Sequence, residues 1–174
     1  MAWIDAEPAA DVEAAALVNA PPEAVFGFLA DLENHWRLAG RFVEVVDLHR
    51  PAGGGPADGG RVRVRGPLGM RRTVTTRVVA ARSPRLMIGT AEIGTGTRAR
   101  VSWSLAGHLG STRVRLAAAI ERTGRVDGLL LALGGRAWLR RRFELTLERL
   151  AEELARDGGQ PSAPAQAAAV PNAS

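Results

Sequence analysis

Few side chains in this sequence can do acid–base chemistry. There are three histidines, His35, His49 and His108, and 18 carboxylates; cysteine, tyrosine and lysine are absent, so all 23 basic residues are arginine. Without cysteine there is no disulfide, no thiolate nucleophile and no cysteine-ligated metal. Without lysine there is no Schiff base and no phosphate-loop lysine. Proton transfer falls to histidine, the carboxylates and water. His35, next to Trp36, is the candidate catalytic residue, as a general base. The competing reading is a surface histidine beside a core-filling tryptophan. His108 lies at the tip of a Gly107–Gly110 turn and His49 ends a strand near Pro51, so both read as solvated. No His-x-His or His-Glu-x-x-His spacing occurs, so neither a metal nor a cofactor is expected. Ser102 and Ser104 flank Trp103 with no histidine in sequence reach, and no nucleophile elbow is present. The glycines at 53–55 and 59–60 precede a strand, whereas a dinucleotide fingerprint follows a strand and opens a helix. They read as a loop.

The elements that must position these groups follow from periodicity. A chain of 174 residues is one domain by default. Residues 1–11 read as a flexible arm, 12–157 as the folded domain, and 158–174, rich in Ala and Pro, as a disordered tail. A strand at 12–19 leads to a helix opened by Pro21-Pro22-Glu23, where proline and an acid suit the first turn. Val25, Phe28, Leu29 and Leu32 share one face of it, and a second short helix follows near 34–38. Strands are expected at 42–49, 61–65, 72–81, 85–93, 98–105 and 112–121. A four-residue loop at 107–110 would set Trp103 opposite Val114, Val101 opposite Leu116 and Ala99 opposite Ala118. Ser104 and Arg113, and Ser102 and Arg115, would then pair on the polar face. In the 72–93 hairpin, Val79, Leu86 and Ile88 compete with Val78, Met87 and Gly89 for the inside. A long helix at about 127–156 carries Leu139, Phe143, Leu147, Leu150 and Leu154 as one stripe, with Gly134-Gly135 able to kink or break it. No secretory signal or membrane span is read, so a cytoplasmic location is expected.

The order of elements, with Val18-Asn-Ala-Pro-Pro-Glu-Ala-Val-Phe26, Asp31-Leu-Glu-Asn-His-Trp36, Gly110-Ser-Thr-Arg-Val-Arg-Leu116 and the closing amphipathic helix, resembles the SRPBCC or START-like helix-grip superfamily. Its members include polyketide cyclase/dehydrase and lipid-transport proteins. The resemblance implies an α+β fold: a curved antiparallel sheet of about seven strands around a long C-terminal helix, with two short helices after the first strand. It also implies an apolar cavity between sheet and helix. Within it, Trp36, Val64, Thr76, Val101, Trp103, Leu116, Leu139 and Phe143 are the expected ligand-binding residues. Thr76 and the Trp103 indole N–H are the polar groups expected to point inward. Small residues at Gly89, Ala91, Ala99 and Ala118 either leave space or let the helix approach. The expected function is binding or transport of a small hydrophobic or amphipathic molecule, of lipid, polyketide or quinone-like type. One alternative is a cyclase/dehydrase-like enzyme; some such members use Arg and Tyr in the cavity, and this chain lacks Tyr. The other is an interaction module, a co-chaperone or regulator, since this superfamily hosts many functions.

Charge is distributed unevenly. Residues 1–60 carry a net −7, residues 61–115 a net +11 and residues 116–174 a net +1, within an overall +5. Arg63, Arg65, Arg77, Arg98, Arg100, Arg113 and Arg115 are expected on the outer sheet face. They would either form a solvated surface or dock an anionic membrane surface or an acidic partner. Nucleic acid is disfavoured, because that face lacks interleaved aromatics for stacking.

Overall fold

The computed structural model describes residues 9–66, 69–94 and 96–158. Most of the expected arm and tail lies outside these residues. Seven strands form one open antiparallel sheet in the order β1-β7-β6-β5-β4-β3-β2. They are β1 (Val12–Val18), β2 (Val43–His49), β3 (Gly59–Arg65), β4 (Arg71–Arg82), β5 (Leu86–Ile93), β6 (Thr97–His108) and β7 (Ser111–Arg122). Two short helices, α1 (Pro22–Leu29) and α2 (Leu32–Ala39), follow β1, and α3 (Arg125–Leu130) and α4 (Arg136–Gly158) close the chain. Among the described residues no helix is long and apolar enough to cross a membrane.

The expected C-terminal helix is divided. A π turn at Leu131–Gly135 separates α3 from α4, and Gly134 takes φ 105°, which breaks the helical path. Leu147, Leu150 and Leu154 of α4 are buried against Ala14 and Val18 of β1 and Val114 and Leu116 of β7. Across this core, Arg149 Nη1 donates to the Leu38 carbonyl at 2.7 Å, tying α4 to the end of α2.

The β6–β7 hairpin corrects the expected register. Trp103 pairs with Leu116, Val101 with Ala118 and Ser102 with Ala117, two residues away from the expected partners. Gly107 and His108 continue β6, so the connection tightens to Leu109-Gly110, both at positive φ (46° and 83°). That two-residue geometry matches the right-handed twist of the flanking strands. A slip of two preserves the faces, so Trp103, Leu105, Val114 and Leu116 remain in the core. The 72–93 ambiguity is settled by a register shift between Val78 and Ala80. Val78 and Met87 face the core, while Val79 is 53% exposed. The glycines at 59–60, expected in a loop, begin β3. A Cβ on Gly60 would fall 2.7 Å from the Trp36 ring and 2.3 Å from the Asp47 carbonyl oxygen, so β2, β3 and α2 meet where only glycine fits.

Strand pairing also brings acids to the outer arginines that the linear sequence separates from them. Arg63 meets Glu44 at 3.2 Å, Arg98 and Arg100 share Glu121, and Arg115 meets Glu13 at 2.5 Å. These exposed pairs contribute little to stability, but they neutralise much of the expected cationic face.

Candidate functional site

Two cavities lie between the concave face of the sheet and the helices, side by side along β4 and β5. The inner one, about 120 Å³, is walled by Leu32, His35 and Trp36 from α2, Thr76 and Val78 from β4, Met87, Gly89 and Ala91 from β5, and Val101 and Trp103 from β6. The outer one, about 260 Å³, lies between Val64, Val74 and Ile93 of the sheet and Leu130, Leu131, Trp138 and Leu139 of the C-terminal segment. Val74 and Ile93 wall the outer cavity, while Thr76 and Ala91, the next inward positions on the same strands, wall the inner one. An apolar cavity of about 150 Å³ accepts benzene, so the inner space is of single-ring size.

The α2 helix is what aims His35 and Trp36. Asp31 caps it by accepting from Glu33 N at 3.0 Å and also accepts from Ala57 N at 3.2 Å. Arg50 reaches across to Glu33 at 2.6 Å. These bonds fix α2 against the 50–58 segment and start it at Leu32, two residues before the expected helix. Trp36 is buried among Leu32, Ala57, Val62 and Val74, and its side chain also forms cavity wall. His35 is not the solvated surface residue of the competing reading. Its Nε2–H donates to the Leu29 carbonyl at 2.7 Å, and its ring centroid lies 5.2 Å from that of Trp103. Burial lowers its pKa to about 4, outweighing the Leu29 bond and the nearby Asp31 charge, which act the other way. The ring is therefore neutral at pH 7, with Nδ1 as an acceptor.

Thr76 supplies a polar group to the inner cavity. Its Oγ1 is buried and has no hydrogen-bond partner among the described residues. Buried hydroxyls are nearly always paired, so this one marks a place where a polar group of another molecule would be stabilised.

The expected ligand-binding residues fall into three groups. Trp36, Thr76, Val101 and Trp103 meet at the inner cavity. Val64 and Leu139 meet at the outer one. Leu116 is a buried core residue and Phe143 packs against that core, so neither lines a cavity. Several lining residues went unread in the sequence. Phe42 and Trp138 meet at a tilted angle with ring centroids 5.1 Å apart, the Arg142 guanidinium lies 4.8 Å from the Phe42 centroid, and the two rings form one wall of the outer cavity. Arg72 lines the outer cavity, and its Nη2 lies 3.1 Å from Asp127. Asp127 also accepts from the Thr97 hydroxyl, and Thr97 Oγ1 in turn accepts from Gly124 N at 3.1 Å. The isolated positions of Arg72 and Asp127, 55 residues apart, gave no sequence signal for this contact.

The other two histidines lie outside the cavities. His49 Nδ1 is 2.6 Å from Asp58, and that hydrogen bond holds the Asp58 carboxyl below its usual pKa. His108 is exposed at the end of β6. Among the described residues no cluster of three or more His, Asp or Glu side chains is placed to hold a metal ion.

Comparison with known proteins agrees with this architecture. Solved structures with the same fold include TTHA0849 from Thermus thermophilus, 21% identical, with a TM-score of 0.66 over 85% of this chain and 99% of that one. A START superfamily protein from Mycobacterium smegmatis is 18% identical, with a TM-score of 0.60 over 82% of this chain and 97% of that one. DynU16, described as a putative protein in the dynemicin biosynthetic locus, is 20% identical, with a TM-score of 0.51 over 84% of this chain and 47% of that one. No curated protein matches the chain. The family model for polyketide cyclase/dehydrase and lipid transport matches residues 9–155, and the chain belongs to that family.

Proposed function

We propose that this protein binds and carries a small amphipathic molecule, its polar group in the inner cavity and its apolar body in the outer one. The buried, unpartnered Thr76 hydroxyl beside two apolar spaces carries this reading. A ligand hydroxyl or carbonyl would meet Thr76, the Trp103 indole N–H or the His35 Nδ1. Its body would run past Val74 and Ile93 towards Leu131 and Leu139. Two cavities also weigh against a filled core of the kind an interaction module would have. Lipids, polyketides and quinones with one polar end all have this chemistry.

Binding is favoured over catalysis by the state of His35. A general base works best with a pKa near the working pH, and burial holds this one near 4. Arg72, which lines the outer cavity, is already engaged by Asp127. Docking of an anionic surface on the outer sheet face is likewise disfavoured, because four of its seven arginines are paired with acids.

The test is a titration with 2-naphthol, a hydroxyl on an apolar ring system, followed by tryptophan emission. Ala91→Leu places extra carbons in the inner cavity. The expected result is saturable quenching in the native protein and at least about tenfold weaker binding in a folded Ala91→Leu protein, since rejecting a misfit in an apolar pocket is worth 10–200-fold. Equal affinity in the two proteins, or no saturable binding to the native one, overturns the reading.

A further inference from the structure

The end of the molecule that covers the outer cavity has an unusual surface. Leu130 and Leu131 turn inward and line the cavity. On the same short segment Val126, Leu129 and Leu133 are 60%, 61% and 75% exposed. Large apolar side chains scattered singly are ordinary, but three within eight residues over a cavity form a patch.

The charges around this patch distinguish what could cover it. Arg65 and Arg71 are direct cross-strand partners, and so are Arg98 and Arg122. Like charges placed opposite each other destabilise a sheet unless something compensates them. Arg98 is compensated by Glu92 and Glu121. Arg65, Arg71, Arg122 and Arg125 have no acidic partner among the described residues. All four belong to this pole: Arg65 and Arg71 bracket Gly66 and Met70, which line the outer cavity, and Arg122 leads through a two-residue link into α3, whose first residue is Arg125. A second copy of the chain docked here by two-fold symmetry would set these arginines against themselves. An anionic lipid surface would instead take up the leucines and neutralise the arginines together.

We infer that this pole, Val126, Leu129 and Leu133 with Arg65, Arg71, Arg122 and Arg125, docks the protein on an anionic lipid bilayer with the outer cavity next to the membrane. Attachment here shares only Arg65 with the outer-face arginines, and it does not require the inner cavity to be filled. The segment that meets the lipid is also the cavity wall. It is held to the sheet by the contacts of Asp127 with Arg72 and Thr97.

The test is co-sedimentation of the full chain with vesicles of phosphatidylcholine alone and of phosphatidylcholine with phosphatidylglycerol. Binding is expected on the anionic vesicles alone and is expected to weaken as salt rises. Leu129→Glu with Leu133→Glu should abolish it, and Arg71→Gln and Arg125→Gln should each weaken it about fivefold. Arg113→Gln, on the outer sheet face, should leave it unchanged. Ala91→Leu should still bind vesicles, and the Leu129→Glu/Leu133→Glu protein should still bind 2-naphthol, which separates this inference from the cavity reading. Equal binding to both vesicle types, no binding, an equal effect of Arg113→Gln, or a dimer in sedimentation velocity that Leu129→Glu dissolves would each overturn it.

Discussion

Replacing Thr76 by valine separates a ligand-binding hydroxyl from one that merely fills space. Valine has nearly the same shape, so the change removes a buried Oγ1 with no partner among the described residues and puts a methyl group in its place. An unsatisfied buried hydroxyl costs about 1–3 kcal/mol, whereas a hydrogen bond made to a ligand returns about 1 kcal/mol net. The ligand-free Thr76→Val protein should therefore be more stable by about 1 kcal/mol. For a domain of this size that raises Tm by about 2–4 °C. Its affinity for 2-naphthol should fall about fivefold, the equivalent of about 1 kcal/mol. Urea unfolding with and without 2-naphthol reads both effects on one sample. A destabilised Thr76→Val protein with undiminished affinity would refute the reasoning, because the hydroxyl would then be engaged within the fold rather than by the ligand.

Three further outcomes follow from named contacts. His35 has a folded-state pKa near 4 against 6.5 unfolded, so the unfolded chain takes up the proton first; stability should fall as pH drops from about 6.5 to 4, by about 3 kcal/mol in all. Urea midpoints across that range should show a shallower decline in His35→Gln, and identical declines would mean that the imidazole is solvated. Arg149→Met keeps the stem but deletes the bond to the Leu38 carbonyl, which should cost about 1–2 kcal/mol in thermal unfolding; no loss would show that α2 and α4 are held by packing alone. Leu109→Asn should stabilise the β6–β7 turn by about 1 kcal/mol, since Leu109 sits at φ 46° where asparagine is tolerated; a lower Tm would contradict the two-residue turn.

Alternation and turn residues were enough to read the sheet. Val101, Trp103, Val114 and Leu116 alternate with Ser and Arg, so their inward face was legible even though their partners were displaced by two. The displacement came from Gly107 and His108, whose types suggest a turn but whose backbone continues the strand. The break at Gly134-Gly135 was legible as glycine inside an apolar helix. Among the site residues, Thr76, Val101 and Trp103 follow from inward-facing strand positions and Trp36 from the family resemblance, and the four share the inner cavity. Leu116 and Phe143 share the same periodicity but meet the core, because periodicity gives a face and not the depth of the space beneath it. Phe42, Arg72, Asp127 and Trp138 escaped notice because each is an ordinary residue until the sheet and the C-terminal segment are brought together. The acidic first third was legible as a partial counterweight to the outer arginines, but which acid meets which arginine depends on strand pairing.

The account rests on a ligand occupying the space between sheet and helices. Amide and indole ¹H–¹⁵N shifts recorded during addition of 2-naphthol test that most directly. The account predicts saturable changes at Thr76, Gly89, Ala91, Val101 and the Trp103 indole, residues that wall one cavity from three strands. Changes confined to the outer sheet face, or none at a concentration that saturates the tryptophan quenching, would contradict it.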